Sequence, residues 1–234
     1  MIYCIFRTDK LKDQKYVAEI VSTLETALGV PERVLNLDPL SCLVLTILSQ
    51  NTNDKNRDTA YSRLRQHFPR WEDVMNADVA AIADAIRPGG LANQKSQRIQ
   101  KILQWIHHEY GALGLDFLCE LDPQETIDKF TQLKGIGVKT ISVVMMFSCG
   151  IDIFPVDTHV HRICRRLGLV PEKASAEKTF WLMQPLVPDG KSYSLHKNFL
   201  KLGRSICLAR RPNCPLCPIA EFCNFYLSIQ KAAG

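Results

Sequence analysis

Four of the nine cysteines crowd into 17 residues as Cys207-x6-Cys214-x2-Cys217-x5-Cys223. Such a cluster reads as a metal site before it reads as a disulfide framework. Four thiolates could hold zinc, but four-cysteine zinc sites usually come as two Cys-x2-Cys-like pairs, and only one such pair is present here. An iron–sulfur cluster also takes four cysteine thiolates. A second set of residues is Lys134-Gly135-Ile136-Gly137-Val138-Lys139. Two glycines one residue apart between helices permit a hairpin too tight for side chains. The next helix would then turn its free N–H groups and positive dipole end outward, a place suited to a phosphate. A third candidate is Asp157, within Phe154-Pro155-Val156-Asp157-Thr158-His159, where a carboxylate belongs as the N-cap of a helix.

The elements that must carry these residues read as helices. Residues 16–28 repeat apolar positions at helical spacing and stop at Gly29, with Pro31 beyond. Pro39 opens a strongly apolar segment to Leu48, followed by the polar turn Ser49-Gln50-Asn51-Thr52-Asn53-Asp54. Helices also fit 55–67, 78–86 and 93–109, and Pro88-Gly89-Gly90 breaks the chain before the last of them. A helix over 126–133 and another over 138–149 flank the hairpin, and one of about ten residues follows Asp157 and ends at Gly168. No run shows the alternation of a strand, so the expected fold class is all-α.

The chain has 234 residues, of which 46% are hydrophobic and 23% charged. That apolar content is enough to bury a core, which excludes a mostly disordered protein. No apolar run approaches the ~18–20 residues needed to span a bilayer. Met1 to Gln14 lacks the continuous apolar stretch of a secretion signal, so a soluble intracellular protein is expected. The net charge is +5, but Lys191 to Gly234 alone holds seven Lys or Arg against the single acid Glu221. Positive charge clustered on one segment is the footprint of a polyanion binder. The remaining cysteines, Cys4, Cys42, Cys119, Cys149 and Cys164, are scattered and are expected to serve as small buried hydrophobes.

Taken as an ordered set, Leu133-Lys134-Gly135-Ile136-Gly137-Val138-Lys139-Thr140, then Val156-Asp157-Thr158-His159, then the four-cysteine array resemble the endonuclease III family of DNA glycosylases. The match runs over roughly residues 30–226. The resemblance implies two helical domains with DNA held across the cleft between them. One, residues 31–150, would be a six-helix barrel containing the helix–hairpin–helix; the other, residues 1–30 plus 151–234, a cluster domain. It implies a [4Fe–4S] cluster on Cys207, Cys214, Cys217 and Cys223, pinning the loop 208–213 so that Arg210 and Arg211 meet phosphates. The implied partner is double-stranded DNA with a damaged or modified base, bound by a monomer with no membrane involved. The implied location is the nucleoid-bearing cytoplasm of a prokaryote or the nucleus of a eukaryote.

Excising a base from a duplex requires taking it out of the stack. Something must then fill the hole and something must wedge the opposite strand. Asn51 lies where the family usually places a hole-filling glutamine, with Gln50 just before it, and Leu91 lies at the position of the family's wedge leucine. Gly135, Gly137 and Val138 would hold the strand at the hairpin. Lys139 is implied as the nucleophile: an amine can attack the sugar C1′ and form a Schiff base, after which β-elimination breaks the strand on the 3′ side. With an ordinary pKa of about 10.4, only about one lysine in 2,500 is neutral at pH 7, so partial burial and the positive helix end would have to lower it. Asp157 is implied to stabilise positive charge developing at the sugar, a role compatible with capping. His159 and His161 are assigned structural hydrogen bonds only. The implied substrate is an oxidised or ring-saturated pyrimidine. Segments 49–54, 90–100 and 154–170 also resemble plant DEMETER-type 5-methylcytosine glycosylases, which keeps a mismatched thymine or a modified cytosine open. A non-catalytic helix–hairpin–helix DNA-binding module is the alternative from another class, and Lys139 and Asp157 at matching positions argue against it.

Overall fold

Asp38 and Pro39 start the helix around which the middle of the chain packs. Asp38 accepts a hydrogen bond from the Ser41 N–H at 2.8 Å, and Pro39 takes a first-turn position where its missing N–H costs nothing. Nine of the ten residues from Pro39 to Leu48 are buried. The protein, seen in a computed structural model that describes residues 12–35 and 37–233, forms twelve α-helices and no β-strand among the described residues. The expectations for the first eleven residues, including the burial of Cys4, lie outside the described residues. No helix among the described residues is long and apolar enough to cross a membrane.

The chain divides into two compact units, Val34–Ile151 and Met1–Arg33 with Asp152–Gly234. The second unit opens with α1 (Gln14–Leu28). The first holds α2 (Pro39–Leu48), α3 (Asp54–His67), α4 (Trp71–Asn76), α5 (Val79–Ile86), α6 (Ala92–Tyr110), α7 (Pro123–Phe130) and α8 (Val138–Ser148). Its core is made where α2 packs against α8 and α5 against α6. Leu43, Ile47, Ile86, Leu103, Phe130, Ile141 and Val144 are fully buried there, each worth about 1.5–3 kcal/mol of transfer free energy. The helix before the hairpin starts and ends three residues earlier than its periodicity predicts. Asp122 accepts from the N–H groups of Gln124 and Glu125 at 2.8 and 3.1 Å, ahead of Pro123, and that cap fixes the start. Helix α4 has no counterpart among the helices expected from sequence, because Arg70 and Asp73 form its start in place of a small polar cap.

Two cysteines of this unit depart from expectation. Cys119 and Cys149 are not separate buried hydrophobes but a disulfide, with Cα atoms 4.8 Å apart, joining a short 3-10 turn to the end of α8. Cys42 is buried as expected.

The other unit holds α1 with α9 (Thr158–Leu167), α10 (Ala176–Met183), α11 (Ser192–Ser205) and α12 (Asn224–Ala233). Helix α1 buries Val17, Ile20, Val21 and Leu24, and α9 buries Val160, Ile163, Cys164 and Leu167. Lys191 at the head of α11 pairs with Glu25 of α1 at 2.9 Å, the Ser194 hydroxyl donates to the same carboxylate at 2.6 Å, and Tyr16 donates to the Phe222 carbonyl at 3.0 Å. Burial pushes the Glu25 carboxyl up, but the bonds from Ser194 and Lys191 and the lysine charge outweigh it and leave the group below its ordinary range. Helix α11 has no side-chain cap, which is why its start carries no sequence signal.

Candidate functional site

The hairpin between α7 and α8 forms as a turn in which the Ile136 N–H donates to the Leu133 carbonyl at 3.0 Å. Its two glycines have different reasons. Gly135 stands at φ +96°, in the left-handed region, and a Cβ there would collide with the Nε, Cδ and Cζ of Arg98. Gly137 has an ordinary φ of −102°, is exposed, and would place a Cβ in open space. The expectation that both glycines are needed for tightness is therefore corrected. Gly135 is required by its left-handed backbone, whereas Gly137 leaves the start of α8 uncovered. Gly137 is the N-cap without a side-chain cap, and the first N–H groups of a helix lack intrahelical partners. Val138 and Lys139 follow in the first turn, both half-buried. The Lys139 charge is felt by Cys42 of α2: burial pushes that thiol up, and the nearby ammonium draws it partly back.

The turn after α2 and the loop before α6 share an unusual backbone. Asn51 and Leu91 have φ of +53° and +51°, and the third non-glycine residue of this kind among the described residues is Arg211. A left-handed non-glycine residue costs on the order of 1–3 kcal/mol, and such residues cluster at functional sites. All three are exposed, so no burial of their own side chains offsets that cost. Gln50, by contrast, is half-buried, and its side chain is engaged by Arg98 and the Gly135 carbonyl.

Two residues that the sequence did not single out lie behind these loops, one turn apart on α6. Lys95 is 1% exposed, and its Nζ donates to the carbonyls of Leu48 and Gly89 at 2.7 Å each. It thereby ties the end of α2 to the turn that precedes Leu91. Burial, with the Arg98 charge beside it, pushes the Lys95 ammonium below its ordinary range. Arg98 is half-buried and reaches Gln50 and the hairpin. Nothing local marks either residue, since lysine and arginine on a helix are ordinarily solvated.

In the other unit, Asp157 is the N-cap of α9, its carboxylate accepting from the Val160 N–H at 2.8 Å, and it is half-buried. The segment before it, Ile153–Val156, is buried and cannot rely on water for its polar groups. Gln184 satisfies both the N–H and the carbonyl of Phe154 at 3.0 Å, and Nδ1 of His196 meets the Pro155 carbonyl at 2.9 Å. Asp157 thus follows a clamped strap. His159 contacts Arg162 at 3.1 Å and packs where Gly203 has no side chain, and His161 meets the Thr179 hydroxyl at 2.9 Å.

The cysteine array requires a correction. Cys207, Cys214, Cys217 and Cys223 line one pocket, with Arg166, Ile206 and Phe225 among its other walls. Among the described residues, however, no group of three or more His, Cys, Asp or Glu side chains is placed to hold a metal ion. This overturns the [4Fe–4S] cluster expected from the 6–2–5 spacing. Two of the sulfurs are engaged by Arg166 instead. Cys207 accepts from its guanidinium at 3.2 Å, and Cys223 donates to its carbonyl at 3.3 Å. Burial pushes the Cys217 thiol up to about 11. The loop 208–213 is pinned without a metal: Arg162 donates to the Cys207 carbonyl, Arg166 to those of Leu208 and Ala209, and the Asn213 N–H to Ile206. Arg210 and Arg211 are exposed on it.

All-helical units, with a Gly-x-Gly turn that leaves one helix start open, define a helix–hairpin–helix protein. Residues 44–189 match the HhH-GPD superfamily of base excision DNA repair proteins, and the chain belongs to that superfamily, among its endonuclease III-like DNA glycosylases. It is 32% identical over 187 residues to endonuclease III of Sulfolobus acidocaldarius, covering 79% of this chain and 81% of that one. It is 41% identical over 157 residues to an Arabidopsis thaliana protein whose name carries the words DNA glycosylase, covering 67% of this chain and 54% of that protein. The chain thus spans about half the length of the plant relative. The fold is shared with a trapped endonuclease III–DNA covalent intermediate at a TM-score of 0.79, with 22% identity over 93% of this chain and 98% of the other.

Proposed function

We propose that the protein is a bifunctional DNA glycosylase and abasic-site lyase of base excision repair. It excises a damaged or modified pyrimidine from double-stranded DNA and cleaves the strand 3′ of the abasic site. One observation carries the reading within the family: Lys139 stands in the first turn of α8, two residues after the open Gly137 cap. A backbone phosphate taken up by the free N–H groups of that helix start would bring the neighbouring sugar to a primary amine. The amine attacks C1′ and the base leaves with the glycosidic electron pair. The C1′–O4′ bond then opens, O4′ taking up a proton, to give the Schiff base; loss of a C2′ proton from it expels the 3′ phosphate, and water hydrolyses the imine to free the lysine. Asp157 stabilises the positive charge at the sugar. Asn51 fills the space left by the extruded base, Leu91 wedges the opposite strand, Val34–Ile151 forms the barrel that carries them, and Arg210 and Arg211 hold phosphates. The protein acts as a monomer wherever the genome lies, in the cytoplasm of a prokaryote or the nucleus of a eukaryote.

A second reading, removal of a mismatched thymine or of 5-methylcytosine, is favoured by the resemblance of segments 49–54, 90–100 and 154–170 to plant DEMETER-type glycosylases. The test is product mapping on duplexes that each hold one oxidised pyrimidine, a thymine opposite guanine, or 5-methylcytosine. Release and strand cleavage at the oxidised pyrimidine is the expected result. Cleavage confined to the other two selects the second reading, and DNA binding with no base released from any duplex overturns the glycosylase assignment.

Binding is expected to be dominated by phosphates. If about five are neutralised, log K falls with log[salt] at a slope near −4.5. Replacing both Arg210 and Arg211 by alanine should flatten that slope by up to ~2 and leave base preference unchanged. A slope that does not move means the loop does not touch DNA.

A further inference from the structure

Three segments of the Val34–Ile151 unit meet at one side chain. The Arg98 Nη1 donates to the Gln50 Oε1 at 2.5 Å, and the Gln50 Nε2 donates to the Gly135 carbonyl at 3.4 Å. The body of the guanidinium fills the space that a side chain at position 135 would need. The amide of Gln50 therefore has its oxygen and one of its N–H bonds committed inside the protein. The next residue, Asn51, is exposed with its backbone at φ +53°, a conformation asparagine tolerates better than most residues. One turn before Arg98, Lys95 anchors the two chain segments that lead into Gln50 and into Leu91. The loops that carry Asn51 and Leu91 and the hairpin are thus referenced to the same two turns of α6.

We propose that Arg98 is a positioning residue: through Gln50 it locks the 49–53 turn to the hairpin, so that Gln50 is a strut and Asn51 alone is presented to the gap left by an extruded base. This rests on the proposed action on duplex DNA. Arg98 touches no reacting atom; it sets where Asn51 stands relative to the strand held at α8. Flexible loops would have to be ordered at each encounter, and pre-ordering them lowers that cost. Because the contribution passes through Gln50, losing either partner should have the same effect, and losing both should be no worse than losing one.

The experiment titrates a duplex carrying a tetrahydrofuran abasic analogue opposite 2-aminopurine, whose fluorescence rises when it is unstacked. Wild type should give a saturable rise. Arg98→Met, Gln50→Met and Asn51→Ala should each reduce the saturating signal at least threefold with melting temperatures within a few degrees of wild type. Arg98→Met/Gln50→Met should equal the single variants, and Arg98→Lys should recover part of the signal. The proposal is overturned if Arg98→Met or Gln50→Met leaves the signal intact, if the double variant falls by the product of the two, or if Asn51→Ala is silent. Should Arg98→Met fail to fold, Gln50→Met and Asn51→Ala decide alone. No signal from wild type overturns this inference, whereas a normal signal without base release from any lesion overturns only the glycosylase reading.

Discussion

Lys139→Gln is expected to abolish borohydride trapping and strand nicking on a duplex containing an abasic site, while the variant still binds that duplex. The abasic substrate isolates the second half of the chemistry, because no base remains to be removed. A Schiff base there requires a primary amine at C1′, and borohydride reduces it to a stable protein–DNA adduct. Glutamine keeps the length and polarity of the side chain but has no nucleophilic amine. Lys139 is half-buried in the first turn of α8, so a polar replacement of similar size leaves the packing of the turn in place. The loss of one phosphate contact is small beside the total electrostatic binding. Adduct yield on denaturing gels and nicking rate are the measurements. Equal nicking by wild type and Lys139→Gln assigns the nucleophile to another amine and removes the central step of the proposed function.

Asp157→Asn is expected to slow base release by about 10²–10³, the usual cost of removing one stabiliser of transition-state charge. The substitution separates two roles that the structure superimposes. Asparagine and aspartate cap helices about equally well, whereas alanine in their place costs about 0.5–2 kcal/mol. The amide oxygen of the variant would still accept from the Val160 N–H, as the Asp157 carboxylate does at 2.8 Å, and the strap before it would still be held by Gln184 and His196. Stability should therefore fall for Asp157→Ala and hardly at all for Asp157→Asn, while single-turnover base release falls for both. If Asp157→Asn releases base at the wild-type rate, Asp157 is a cap and nothing more.

The amino-acid sequence by itself determined the features that depend on neighbours within one or two turns. The helical period marks α1, α2, α3, α5, α6 and α8 to within about two residues. The place of the hairpin follows from Gly135 and Gly137, and the cap at Asp157 from a carboxylate just before a helical run. These signals survive folding because the hydrogen bonds that enforce them are local, such as those that Asp157 accepts from Val160 and Asp38 from Ser41.

The tertiary structure decided whatever depends on residues distant in the chain. Which hairpin glycine is obligatory was decided by the left-handed backbone the folded turn imposes on Gly135, against which the side chain of Arg98, 37 positions away, packs. Gln50 and Asn51 look interchangeable as neighbours in a polar turn, and only the reach of Arg98 buries one and leaves the other outside. Lys95 has the composition of a surface residue but is buried, because two carbonyls at chain breaks need a donor there. Cys119 and Cys149 pair across 30 residues, while four cysteines with the spacing of a cluster do not converge on a metal site among the described residues. Spacing along a chain specifies which ligands are available; convergence depends on how the segments between them fold. Here those segments are held by Arg162 and Arg166 of α9, partners about 40 residues away that no local pattern connects to them.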